Sequence, residues 1–321
     1  MTGLFENLTN PALLFFILGV VASQIKNDLS IPENSSKFIS IYLLLSIGFK
    51  GGNELSHSDA GGEIYWSLLL GIFLAAVVPV FTYFILRRKL NTENSGAVAA
   101  AYGSVSAVTF VTAISFLEFK TATFGGHMIA VMALMEAPAI VVGIMLINTF
   151  RDSKDKDDKI SFGGVLKHSL NNASVYLIIG SLIIGYLASD QQAEGIKPFT
   201  TDIFKGFLSV FLLDMGIRSG RHLGGIKENS WFLLLFGIFI PFVNGTAALL
   251  LASLITESVG NILLFAILGA SASYIAVPAA MKNAVPKANP GIYLPMALGI
   301  TFPVNVIIGI PFYFYLIEKI L

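Results

Sequence analysis

The sequence predicts an all-α membrane protein: ten transmembrane helices in two inverted five-helix repeats, with the fourth and ninth helices broken. Three observations carry this. Of 321 residues, 55% are hydrophobic and only 12% charged, whereas a soluble domain carries roughly 25% charge. The apolar residues fall into ten runs. The two halves of the chain match one another in order and at nearly one offset. Mean hydropathy is +0.77.

A membrane helix needs about 20 mostly apolar residues. The runs are 11–25, 38–52, 64–86, 96–117, 125–149, 170–188, 202–217, 231–255, 260–281 and 290–318. Glu6 and Asn7 precede the first, where a cleaved signal would be basic, so that run is expected to stay in the membrane. The second and seventh are short and end in charge. The fourth contains "YGSVSAVTF" and the ninth "GASASYIAVP". Between the fifth and sixth lies the longest polar stretch, "RDSKDKDDKISFGGVLKHS", read as a solvated tether rather than a docking site. The domains are then 1–150 (helices 1–5), the linker 151–169, and 170–321 (helices 6–10).

Lys and Arg resist translocation, so their distribution sets orientation. One set of alternate loops holds 15 of them, among them Arg87, Arg88, Lys89, Arg151 and Arg218, and the other set holds 5. Both termini are expected outside and the linker in the cytoplasm, in an integral plasma (inner) membrane protein surrounded by lipid. Zero formal net charge argues against a nucleic-acid partner. The absence of cysteine excludes disulfides, thiolate metal sites and a thiol nucleophile.

At an offset of 168, "LLLSIGFKGGNEL" overlays "FLLDMGIRSGRHL": Gly48 and Gly52 meet Gly216 and Gly220, and Lys50 meets Arg218. At 167, Ser104 and Ser106 fall on Ser271 and Ser273. At 165, Pro138 falls on Pro303. These matches indicate duplication. With five segments in each half, the second copy enters the membrane reversed, the plan of secondary transporters that bind substrate between broken helices.

The breaks are expected at Gly103–Thr109 and Gly269–Pro278. Pro278 disfavours a continuous helix, Gly103 and Gly269 permit unusual angles and close approach, and serine hydroxyls cap freed amides. The half-helices that follow would turn two amino-terminal ends, each about +0.5 charge, toward one centre. That arrangement suits a small anion held by backbone and hydroxyl groups near Gly103, Ser104, Ser106, Ala270, Ser271 and Ser273. The competing reading is that these small residues only tighten helix packing.

Glu136, in "LMEAP", is an intramembrane carboxylate: it coordinates a cation, relays a proton, pairs with Lys120 or makes a structural hydrogen bond. Asn305 lies near the matching place in the tenth segment, and Thr109 lies one turn beyond Ser106. Asp214–Arg218 and Lys50–Glu54 have the spacing of helical ion pairs. His57, His127, His168 and His222 lack metal-ligand spacing and read as surface or interfacial residues. Gly51–Gly52 and Gly125–Gly126 read as packing positions rather than nucleotide loops.

At "IGFKGGNEL", "YGSVSAVTFVTAISFLE", "MEAPAIV" and "GASASYIAVPAAMKNAVPKANPGIY" the chain resembles the sodium-dependent bicarbonate transporter family, over nearly its whole length. The resemblance implies a gate domain (helices 1, 2, 6 and 7) and a core domain that moves against it like an elevator. It implies bicarbonate between the broken helices, a sodium ion nearby, no other cofactor, a homotrimer, and a PII-like cytoplasmic regulator. Carried over by position, Ser104, Ser106, Ser271 and Ser273 contact the anion or ion, with Thr109, Glu136, Tyr274 and Asn305 as ion-binding or coupling positions. One departure stands out. The family pattern places an aspartate after the serine run of the ninth segment, where this chain has Tyr274, a poor ligand for sodium.

The expected function is therefore secondary active import of a small anion, bicarbonate first. The alternatives are another small anion or carboxylate without sodium coupling, a channel-like pathway, or a sensor on the same fold. An enzyme ranks last, because no nucleophile–base pair or metal signature is present.

Overall fold

The structure is a computed structural model describing residues 11–25, 28–57, 61–151, 173–223 and 231–320. Residues 152–172, which include most of the linker and His168, lie outside the described residues. The described chain is helical, with no strand. In order the helices are α1 (Pro11–Gln24), α2 (Glu33–Ser56), α3 (Gly62–Leu86), α4 (Thr92–Gly103), α5 (Ala107–Phe119), α6 (His127–Phe150) and α7 (Ala173–Leu187). There follow α8 (Asp190–Lys197), α9 (Phe204–Leu223), α10 (Trp231–Ala252), α11 (Val259–Ala270) and α12 (Ala276–Ala284). The last, α13 (Pro290–Ile320), is loosened by π-helical turns at Pro295–Thr301 and Asn305–Gly309.

Each of the ten expected segments overlaps helix. By length and apolarity five helical stretches could cross a membrane: α3, α4 with α5, α6, α10 and α13. α1, α7 and α11 are shorter apolar helices. The second and seventh segments, expected short, are helices of 24 and 20 residues. Within these longer helices Lys37 pairs with Glu33 at 2.9 Å and Arg218 with Asp214 at 2.8 Å.

Side-chain oxygens start several helices by accepting the free amides of the first turn. Asn91 accepts from Asn94 N at 3.0 Å to begin α4, and Ser258 accepts from Asn261 N at 3.3 Å to begin α11. A reciprocal Ser189–Gln192 box begins α8.

Packing sorts the helices into two groups. In the first, α1 lies along α9 and α2 along α7. Glycines set both crossings. A side chain on Gly48 or Gly52 would strike α7 at Ile178, Ser181 and Leu182, and one on Gly216 or Gly220 would strike α1 at Phe16, Val20 and Ser23. In the second group α3 packs on α6 and α4, and α10 packs on α11. Gly51 and Gly126 bring α2 and α6 together, as the packing reading expects.

In an apolar 18-residue span of Thr92–Phe119, 94% of the residues are buried, against 44% in spans of α3 and of α10. Interrupted backbone in hydrocarbon is tolerated only when protein covers it. The interruption between α4 and α5 meets that condition.

Candidate functional site

α4 ends at Gly103 and α5 begins at Ala107, with Ser104 extended at φ −85°, ψ 178° and Ser106 at φ −106°, ψ 105°. The Ser106 hydroxyl accepts from Thr109 N at 3.2 Å, capping α5. The second interruption repeats the device. α11 ends at Ala270, Ser271 is extended at φ −79°, ψ 166°, and Ser273 Oγ accepts from Val277 N at 3.3 Å in the first turn of α12.

Two expectations about this backbone are corrected. Among the described residues no glycine has a positive φ. The close approach also expected of Gly103 and Gly269 is present: a side chain would strike Pro79 at the first and Ala248 and the Asn244 carbonyl at the second. Pro278 sits inside the first turn of α12, where its missing N–H costs no helical bond, so the helix resumes before it.

The two interruptions are tied to each other. Ser106 N donates to Ser271 Oγ at 3.0 Å, and Ser273 N donates to Ala101 O at 2.8 Å. Ser271 Oγ in turn donates to Leu268 O at 3.1 Å, and Asn305 Nδ2 to Ala270 O at 2.7 Å. These bonds satisfy backbone groups freed by the breaks. Four side-chain atoms of the expected set are buried without a hydrogen-bond partner among the described residues: Ser104 Oγ, Thr109 Oγ1, Glu136 Oε2 and Asn305 Oδ1. Such atoms are rare in folded proteins.

A cavity of about 560 Å³ lies against the interruptions. Of the ten expected site residues, Ser106, Glu136, Ser273 and Tyr274 line it. Gly103, Ser104, Thr109, Ala270, Ser271 and Asn305 are buried behind that wall. The Tyr274 hydroxyl is directed at Met215 Sδ, 3.8 Å away, a weak acceptor.

Glu33, Lys37, Arg218 and His222 also line the cavity. The Arg218–Asp214 pair forms as expected, and Ser36 Oγ donates to the same Asp214 oxygen at 2.6 Å. The other expected pair does not form. Lys50 Nζ lies 2.7 Å from Glu118 Oε1 rather than on Glu54, because a carboxylate on the neighbouring helix offers a shorter reach than one on its own. Lys120 Nζ sits 5.7 Å from the centre of the Phe119 ring. His127 is buried rather than at the surface, with Nε2 4.0 Å from Glu63 Oε1. Among the described residues no three His, Asp or Glu side chains gather as a metal site would require.

Sequence reasoning missed Asn244. It is buried in α10, and both its amide atoms lack partners among the described residues. The signal was a lone amide in the apolar run "PFVNGTAA". It also missed the chain from Tyr102 OH to Thr301 Oγ1 (2.7 Å) to Gly237 O (2.8 Å), which ties α4 to α13 and α10.

A comparison with curated proteins finds no match. The profile of the Na+-dependent bicarbonate transporter superfamily matches residues 11–318, nearly the whole chain, and the protein belongs to that superfamily.

Proposed function

We propose that the protein is a secondary active transporter that imports a small anion, bicarbonate first, by alternating access between two groups of helices. One observation carries the reading. Ser106 and Ser273, equivalent under the internal repeat, each accept a first-turn N–H of the half-helix that follows, each donate their N–H across to the other broken helix, and both line one cavity. Two helix amino-termini so placed supply partial positive charge toward an oxyanion in the cavity, which Arg218 also lines.

The packing supports the ten-span inverted-repeat plan. Glycines matched by the repeat do matched work: Gly48 and Gly52 admit α7, and Gly216 and Gly220 admit α1. On this plan α1, α2, α7 and α9 form the gate and the second group forms the core. The cavity opens toward Lys37 and Arg218, which the distribution of basic residues assigns to the cytoplasm. The same reading extends to a homotrimer in the plasma membrane and to a PII-like regulator on the linker side.

The oxygens of Thr109, Glu136 and Asn305 that lack partners are the groups that would hold a sodium ion. Tyr274 favours a second reading, transport without sodium, since its hydroxyl is turned to Met215 and it carries no charge. Proteoliposomes test both. Uptake of labelled bicarbonate driven by a sodium gradient supports the first, and uptake indifferent to sodium supports the second. No uptake under any gradient removes bicarbonate as the substrate.

A further inference from the structure

Three helices share an arrangement that anion binding does not use. α2 lines the cavity with Glu33, Ser36 and Lys37 near its start and carries Lys50 about 20 Å further along, at a rise of about 1.5 Å per residue. α5 lines it with Ala107, Val108 and Val111 and carries Glu118 at its far end. α9 lines it with Met215, Arg218 and His222 and carries Lys205 at its far end. The three charges meet at the end of the bundle away from these cavity-lining side chains. Lys50 Nζ is 2.7 Å from Glu118 Oε1, and Lys205 Nζ is 3.8 Å from Glu118 Oε2. α2 and α9 belong to one packing group and α5 packs chiefly on α11 of the other, so both ion pairs cross between groups and end on one carboxylate. The Lys50 and Glu118 side chains are each 25% exposed, withdrawn enough from water for the attraction to exceed that of a fully solvated pair.

The internal repeat supplies no acidic counterpart to Glu118. The repeat sets Lys50 on Arg218, but at offsets of 165–168 Glu118 falls on Asn283, Ala284, Val285 and Pro286, none of them acidic. Arg218 turns to Asp214 of its own helix.

We infer that Glu118 is a latch that holds the two helix groups together at the Lys50–Lys205 end and so sets the balance between the two access states. The state seen here, open toward Arg218, is the resting one. Opening at the other end requires the Lys50 pair, and with it the longer and more exposed Lys205 pair, to part, and the repeat places no acidic residue to hold the reverse state in the same way. The inference rests on the alternating-access reading above and names the residues that bias it.

The chain has no cysteine, so one reporter cysteine at Leu44, in the cavity wall, can be labelled with a membrane-impermeant maleimide from either side of oriented vesicles. Wild type is expected to label from the Arg218 side. Glu118→Gln and Lys50→Gln are each expected to shift the labelling ratio toward the other side by roughly fivefold, the upper range for a pair of this exposure. Should Glu118→Gln not fold, Lys50→Gln and Lys205→Gln read the same ratio. A ratio unmoved in every folded variant overturns the latch, and bicarbonate uptake measured in parallel then still stands for or against transport. A shifted ratio without uptake keeps the latch and removes the transport reading.

Discussion

The backbone N–H of Ser106 donates to the hydroxyl of Ser271 at 3.0 Å, so each helix interruption is held in shape by the other. Ser104, two residues earlier, has a buried hydroxyl with no partner among the described residues. The two serines occupy repeat-equivalent positions and do different work.

That difference gives a paired prediction. Ser271→Ala strands a buried N–H and is expected to destabilise the protein by about 1–3 kcal/mol. Ser104→Ala removes no bond of the folded chain and takes away an unpaired buried hydroxyl, so its stability is expected to match or exceed that of wild type, while bicarbonate affinity falls if the hydroxyl serves the anion. Thermal unfolding in detergent and isothermal titration read the two quantities separately. Equal destabilisation by both variants would count against a ligand role for Ser104.

The close crossing of α2 on α7 depends on Gly52, where a side chain would run into the Leu182 carbonyl. Gly52→Ala must push two backbones apart and is expected to cost about 1–3 kcal/mol. Gly180, on α7, has nothing within 4 Å of an added side chain, and in mid-helix Gly180→Ala is expected to stabilise by roughly 0.5–1 kcal/mol. Unfolding midpoints of the two variants should move in opposite directions.

Much of this was legible in the sequence for a physical reason. Apolar runs locate helices because an unpaired backbone cannot lie in hydrocarbon, and serine beside glycine in such a run signals a place where the backbone departs from helix. The extent of α2 and α9 was not legible. Their charges looked like span ends, and only the folded chain shows Lys50 meeting Glu118 from another helix. Which hydroxyls face the cavity was equally hidden. Ser104 and Ser106 differ by two residues in one string, and the conformation of the break decides that Ser106 lines the wall while Ser104 sits behind it. Asn244 escaped notice because one amide in a long apolar helix shows no periodicity.

His57, just past α2, links that helix to α8. Its Nδ1 lies 2.8 Å from Asn53 O and its Nε2 2.8 Å from Asp190 Oδ1. The Asn53 carbonyl, then Asp190, favour the protonated ring and raise its pKa above the usual value near 6.5. A raised folded-state pKa means the contribution is fully present below about pH 6.5 and is lost as pH rises through the folded value. Hydrogen exchange across α8 is therefore expected to quicken as pH climbs through that window, after correction for intrinsic rates. Asp190→Asn should bring the His57 midpoint, read by NMR, back toward 6.5 without removing the shift due to Asn53.

Glu136 offers the test of ion coupling. Its carboxyl is buried, lines the cavity, and has Oε2 without a partner among the described residues. A carboxylate so placed requires a cation or a proton, because an isolated charge in a low-dielectric interior is far too costly to persist. If the cation is sodium, sodium binds the folded state and is expected to stabilise it by about 1.4 kcal/mol at tenfold its Kd, with potassium at equal ionic strength as the control. Glu136→Gln keeps the shape and removes the charge, so its stability in potassium should match or exceed that of wild type while the response to sodium disappears. A wild type equally stable in both salts excludes sodium at Glu136 and leaves the proton. Uptake should then follow a pH gradient, and Glu136→Gln should abolish that dependence while bicarbonate still exchanges across the membrane.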